Sequence, residues 1–341
     1  MALSPKLEFY RFSLNHKDEE MKTFFDFAKE ELTRKRHLTE EEALEILFKN
    51  FIKNLSGEYA KNKSQKKEIK LVNNRINKYL DHNPKFDSRD YTIYGVINGG
   101  PFDRDGIISN MNDSEDIISL GRNKSILRYY YFLLYITLDH HEGCFINQSH
   151  SKEETITSIF KNYIANIFKG SNYKKAIMEV YSPKSFQDEF KNNAALGCFT
   201  FKSSILDTKH TEKGVKDFFA EYDIRIEAIP KNKNVPITGV NKIRAVLAEK
   251  IYGDKQNSKE LDNFEESRVL VRNTVNNSTR TFEWSNKDSD FIPVVYLDER
   301  IHAKNDDGTL CFKAVEQFCH TIFKDEILQE IRPDLYVSKV K

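Results

Sequence analysis

Residues 156–168 constrain this chain more than any other stretch. Ile156, Ile159, Phe160, Tyr163, Ile164, Ile167 and Phe168 recur at i, i+3, i+4, i+7, i+8, i+11 and i+12. That spacing places all seven on one stripe of a helix and predicts a helix over Glu153–Phe168. The stretch before it has the opposite character. Ile126–Leu138 (ILRYYYFLLYITL) is almost continuously apolar, contains Arg128, and is too short to cross a bilayer as a helix, so it reads as a buried strand. A turn over Asp139–Gly143 and a second strand over Cys144–Ser149 connect the two.

The flanking regions extend this pattern. Lys6–Leu14 predicts a first strand, and Asp18–Arg34 has apolar residues at helical spacing. Thr39 followed by Glu42 is a capping box that opens a helix with Leu44, Leu47, Phe48, Phe51, Ile52 and Leu55 on one face. Tyr91–Ile97 and Gly106–Ser109 read as short strands around an Asn98-Gly99-Gly100-Pro101 turn. Further strands are expected at 176–181, 197–205, 223–229, 268–275, 279–284 and 294–297, with Asn276-Asn277 as a hairpin turn. Helices are expected at 185–192, 211–222, 240–252 and 310–331. The fold class this implies is α+β: a mixed, mainly antiparallel sheet with flanking helices and a helical N-terminal part. A division near residue 85 gives a mainly helical part with one strand at 1–85 and an α+β body at 86–341.

The residues that could do chemistry form no high-specificity motif. There is no G-x-x-x-x-G-K-[ST] loop, no G-x-G-x-x-G and no G-x-S-x-G elbow, which disfavours nucleotide-driven enzymes and serine hydrolases. Cys144, Cys198, Cys311 and Cys319 form no C-x-x-C pair, so the cysteines read as reduced thiols rather than a disulfide framework or a structural zinc site. Asp139, His140, His141 and Glu142 are the densest group of metal-ligating types, although adjacent turn histidines diverge and a polar hairpin tip accounts for them better than a metal site does. A metal-dependent nuclease would need a divalent cation and converging acids. Asp223 and Glu227 share a strand face with Arg225, and Lys231 follows. The acid-x-Lys arrangement is absent, and an Arg-carboxylate pair on a solvated face explains the same residues.

The charge distribution is more informative. The net charge is only +1, so any nucleic-acid contact must come from a local patch. Residues 61–78, with Lys63, Lys66, Lys67, Lys70 and Arg75 among their cations, carry a net +6 and read as a solvated helix or a linker. Residues 161–175, with Lys174 and Lys175, carry +4; residues 225–244, with Lys231, Lys233, Lys242 and Arg244, also carry +4. Acidic balance lies later, at 254–266 and 283–307. A basic middle section suits contact with a phosphate backbone, and it equally suits contact with an acidic patch on another subunit.

One resemblance bears on these alternatives. The strand, turn and strand ending in Gly143-Cys144-Phe145-Ile146-Asn147-Gln148-Ser149, the amphipathic helix to Phe168, and the later strand 223–229 with Pro230-Lys231 resemble the body of bacterial anti-phage defence proteins of the KwaB (Kiwa) and RexA kind. The resemblance covers about a third of the chain, by arrangement rather than by an invariant motif, and no functional residue transfers with it. It implies a cytoplasmic, homo-oligomeric protein that associates with DNA and works beside a partner defence protein. The expectation is therefore a non-enzymatic, non-sequence-specific nucleic-acid-binding protein that contacts a DNA or RNA backbone, without a cofactor and without membrane insertion. The N-terminus has no basic stretch followed by an apolar one, so no signal peptide is expected. The alternatives are the nuclease, or a protein-binding sensor or inhibitor module.

Overall fold

The computed structural model describes residues 5–33, 35, 37–55, 60–72, 83–103, 106–110, 113–121, 124–150, 155–203, 224–232, 266–274, 279–283, 295–305 and 309–337. The fold is α+β, and among the described residues every strand pairing is antiparallel. The chain divides elsewhere than at residue 85. Residues 1–182 and 294–341 form one compact unit, and residues 183–293 form the other.

The first unit is built on a nine-stranded sheet. Its strands are β1 (Lys6–Ser13), β2 (Lys61–Asn62), β3 (Lys67–Leu71), β4 (Lys85–Asp87), β5 (Thr92–Pro101), β8 (Arg128–Tyr135), β9 (Glu142–Ser149), β10 (Ile177–Tyr181) and β15 (Val295–Tyr296). The spatial order is β10-β1-β9-β8-β5-β3-β2, with β15 also on β1 and β4 also on β5. A separate hairpin joins β6 (Gly106–Asn110) to β7 (Asp113–Leu120). The expected boundary at 85 falls inside the sheet, because β3 pairs with β5 along Lys67–Leu71.

Strand β8 shows why its sequence is apolar without alternation. Tyr130, Phe132 and Leu134 face a core formed with α2 (Glu40–Asn54) and α3 (Thr157–Ile167). Phe132 meets Phe51 at 5.3 Å and Phe160 at 5.3 Å between ring centroids. The alternate residues face α5 (Phe312–Ile322) and the π-helical turn Phe323–Ile327 that continues it, with Tyr135 5.0 Å from Phe323. Both faces of the strand are covered, so both must be apolar. Among the described residues no helix is long and apolar enough to cross a membrane.

Several local expectations hold. Thr39 accepts from the Glu42 N–H at 3.2 Å, and Glu42 accepts from the Thr39 N–H at 3.1 Å, which completes the capping box of α2. The helix expected from Asp18 starts later. Thr23 caps α1 (Phe24–Phe27), and a π-helical turn, Ala28–Leu32, follows.

Two expectations fail for identifiable reasons. Residues 61–71 form a strand hairpin rather than a helix or linker. Lysines at 67 and 70 hide a period of two in which Ile69 is buried on one face and Glu68 on the other. Asn98-Gly99-Gly100-Pro101 is not a turn, and β5 runs straight through it, pairing with β3 on one side and β8 on the other. Gly99 is needed for close packing instead, since a Cβ there would lie 2.7 Å from Ile156 Cγ2.

The second unit contains α4 (Lys184–Asn193) and a four-stranded sheet in the order β12-β11-β13-β14. Its strands are β11 (Ala194–Ser203), β12 (Ile224–Ala228), β13 (Glu266–Asn273) and β14 (Thr279–Glu283). Leu196, Phe199, Phe201, Val269 and Val271 are buried there. The expected helices at 211–222 and 240–252, and the Asn276-Asn277 turn, lie outside the described residues.

Candidate nucleic-acid interface

The apolar stripe of α3 faces the sheet, which leaves Ser158, Lys161 and Asn162 as its outward ridge. These positions stand at i, i+3 and i+4 and therefore share one side of the helix. Lysines from three separate chain segments meet this ridge. Lys67 Nζ donates to the Thr155 carbonyl at 2.7 Å, just before the helix begins. In the turn between β2 and β3, Gln65 accepts from the Ser158 hydroxyl at 2.7 Å and fixes the hairpin, with exposed Lys63, against the ridge. Lys161 lies over the Tyr10 ring at 4.4 Å from its centroid. Lys175 Nζ donates to Asn162 Oδ1 at 3.4 Å, and exposed Lys174 precedes it in the chain. From Thr155 to Asn162 the helix rises roughly 10 Å.

The N-terminal end of α3 is held down by a buried polar network. Thr157 donates its hydroxyl to Glu8 Oε2 at 2.5 Å, and Asn147 Nδ2 donates to Thr157 Oγ1 at 3.2 Å. Burial pushes the Glu8 carboxyl up, but Lys6, Thr157 and Ser149 outweigh it and hold it below the ordinary range. Asn147 is fully buried, and its Oδ1 has no hydrogen-bond partner among the described residues. Thr157 Oγ1 already gives its proton to Glu8, so Asn147 must donate to it. The open position is thus an acceptor, suited to a buried water.

The expected basic residues divide into two groups. Lys66 pairs with Asp103 at 2.8 Å. Lys70 and Lys61 both pair with Glu68, at 3.1 and 3.8 Å. Burial raises the Glu68 carboxyl, yet Ser125, Lys70 and Lys61 keep it ionised and below its usual value. Glu68 and Lys70 are alternate residues of β3 and project from the same face, which is why they pair. Three of the hairpin's five lysines are therefore engaged by two carboxylates within the fold. Among the described residues, Lys63, Lys161, Lys174 and Lys175 form no ion pair with a carboxylate. Arg75, Lys233, Lys242 and Arg244 lie outside the described residues.

The other sequence candidates do not assemble. Asp139 is held by Arg332, with both guanidinium Nη atoms 2.8 Å from its two oxygens. His140 Nδ1 accepts from the Glu142 N–H at 3.1 Å, and His141 Nε2 lies 3.8 Å from Glu142. Burial and the neighbouring His140 lower the His141 pKa. The four side chains thus serve a tight strand connection, and among the described residues no three His, Cys, Asp or Glu side chains group as metal ligands. Glu227 pairs with Arg225 on an exposed strand face, Lys231 is exposed, and Asp223 lies outside the described residues. Cys144 and Cys319 are fully buried, and burial pushes the Cys144 thiol up to about 12, so neither is a nucleophile at neutral pH.

Sequence reasoning missed Ser158, Asn162 and Gln65. The signal was present as the complement of the apolar stripe: once the buried positions are assigned, 158, 161 and 162 remain for solvent. Gln65 left no sequence signal, because its role depends on the hairpin folding back across α3. No family model matches the chain, and no curated protein matches its sequence.

Proposed function

We propose that this chain binds the sugar-phosphate backbone of DNA without reading base sequence, along the outward ridge of α3, and that it acts in bacterial anti-phage defence. The single observation that supports the binding is the meeting of Lys67, Lys161 and Lys175 at one helix, Lys67 from a segment about a hundred residues away, with exposed Lys63 in the turn that Gln65 docks there and exposed Lys174 next to Lys175 in the chain. The roughly 10 Å ridge spans about three nucleotide rises of one strand. Lysines on a helix side and a hairpin tip offer point charges rather than the bidentate groups that read base edges. The defence setting rests on the resemblance of the central strands and helix alone.

Binding to a labelled duplex, followed by anisotropy across about 50–200 mM salt, tests the reading. Contact by four to five lysines predicts a log–log salt slope of about −4. The variant Lys63→Ala/Lys174→Ala/Lys175→Ala is expected to flatten that slope by about three, one for each lysine. Lys66→Ala/Lys70→Ala should change it far less, because those ammonium groups serve Asp103 and Glu68. Equal effects of the two variants, or none from the first, would remove the ridge as the contact surface. Plaque assays with the same triple variant read the defence role.

A further inference from the structure

The loop that follows α3 is built around an anion. Ser171 N–H, the Ser171 hydroxyl and Asn172 N–H all donate to the Glu31 carboxylate, at 2.8, 2.9 and 2.7 Å. Gly170 allows the approach, since a Cβ there would run into that carboxylate. Glu31 comes from the π-helical turn Ala28–Leu32, whose Glu30 also accepts from the Tyr173 hydroxyl at 3.0 Å. Lys17 donates to the Ser171 carbonyl. Burial raises the Glu31 carboxyl, but the two N–H groups, the hydroxyl and the charge of Lys17 outweigh it, so the group stays ionised. Exposed Lys169 and Lys174 flank the loop in sequence.

Two successive N–H groups and a hydroxyl converging on one carboxylate form a nest for an oxyanion. A carboxylate and a phosphodiester present the same pair of anionic oxygens to such donors. The loop also follows directly on α3, and Lys174 and Lys175 come next in the chain, Lys175 reaching back to Asn162. We propose that the Ser171–Asn172 nest is a phosphate-binding socket at the end of the α3 ridge, occupied in the free protein by the chain's own Glu31, which a backbone phosphate displaces. Glu31 then sets the affinity of the surface: it holds the loop in shape and must be released for the last phosphate to seat. The proposal rests on the ridge reading for its natural ligand, although the socket is testable without nucleic acid.

The test is the Glu31→Ala variant in phosphate-free buffer, titrated with inorganic phosphate while Tm is followed. A vacant nest is expected to bind phosphate at least about tenfold more tightly than wild type, given three charge-assisted donors. The result is a saturable rise in Tm that wild type lacks, and Lys174→Ala in the same background weakens it. A variant that folds only when phosphate is present supports the proposal equally. A folded variant with no phosphate-dependent rise overturns it. So does a variant that fails to fold with or without phosphate, since Glu31 is then only a structural clamp. The ridge is read separately through Lys63→Ala/Lys67→Ala on DNA. Phosphate binding by the Glu31→Ala variant with DNA affinity indifferent to those lysines removes the ridge and keeps the socket. The reverse pattern removes the socket alone.

Discussion

Arg332 offers a sharp test of how the C-terminal helix is secured. Its side chain is only 4% exposed, while Asp139 and Asp334, which it joins, are 64% and 57% exposed. Nη1 and Nη2 each reach Asp139 at 2.8 Å, Nε reaches Asp334 Oδ1 at 2.9 Å, and Nη2 reaches Asp334 Oδ2 at 2.7 Å. The burial is asymmetric, so the two ways of breaking the cluster should differ in cost. Arg332→Met keeps the aliphatic volume and leaves two carboxylates that water resolvates readily, so the loss is that of charge-assisted hydrogen bonds, about 2 kcal/mol. Asp139→Asn/Asp334→Asn leaves a guanidinium buried without a counter-charge. Stranded buried charges cost about 3–5 kcal/mol, and the remaining amide oxygens keep the figure near the lower end. Urea denaturation followed by far-UV circular dichroism measures both, through a shift in midpoint at unchanged slope. A double aspartate variant as stable as Arg332→Met, or more so, would refute the argument that burial of the arginine sets the cost.

The same cluster sets an acid dependence. Hydrogen bonds from Arg332 come first among the causes that hold the Asp139 carboxyl below its ordinary value; burial opposes them and the Thr137 hydroxyl adds to them. Arg332 likewise depresses Asp334. A carboxylate with a depressed folded-state pKa contributes stability that is complete above the unfolded value of about 3.9 and is lost as pH falls through the folded value. The wild type should therefore lose stability more steeply below about pH 4 than Arg332→Met does.

Two further substitutions test local features of the first unit, one beneath the ridge and one away from it. Gly99→Ala pushes a methyl to within 2.7 Å of Ile156 Cγ2 and should destabilise by about 1–3 kcal/mol. Combined with Ile156→Ala, which removes the opposing atom, it should cost less than the sum of the single variants, and simple additivity would show that the two residues do not meet. Thr39→Ala removes the side-chain acceptor for the Glu42 N–H and should cost about 1 kcal/mol in the same denaturation assay, with no change in DNA binding, since α2 lies off the ridge.

Legibility in the sequence follows the range of the interaction. The capping box at Thr39 and Glu42, the stripe from Ile156 to Phe168 and the strands at 128–135 and 142–149 depend on residues a few positions apart, and each is readable from spacing alone. The placing of β1 between β9 and β10 depends on Phe9 meeting Ile146 and Tyr181, more than a hundred positions away, which no local period reports. The same distance hid the true division of the chain. Residue 85 follows a change in composition, whereas the second unit is an insertion between Ser182 and Val294, flanked by β10 and β15 of the first unit's sheet. Glycine was the other source of error. Asn98-Gly99-Gly100-Pro101 has turn composition, but turn residues and close-packed strand residues draw on the same property, the missing Cβ. Only the three-dimensional neighbour, here Ile156, distinguishes them.

The lysines show most clearly why charge along a sequence differs from charge on a surface. Residues 61–70 look like the strongest basic segment, yet three of its five lysines spend their charge on Asp103 and Glu68. Residues 161–175 look weaker, but among the described residues Lys161, Lys174 and Lys175 pair with no carboxylate, because α3 is fully occupied with the core on one side and presents only polar groups without charge, Ser158 and Asn162, beside Lys161 on the other. An amphipathic helix with no acidic residue from 157 to 167 cannot neutralise the cations that neighbouring segments lean against it. The positive ridge is therefore a consequence of the same stripe that fixes the fold. A carboxylate placed on the ridge, as in Asn162→Asp, should pair with Lys175 and abolish part of the field without touching the core. DNA affinity that falls while the denaturation midpoint stays unchanged would separate binding from folding at a single position.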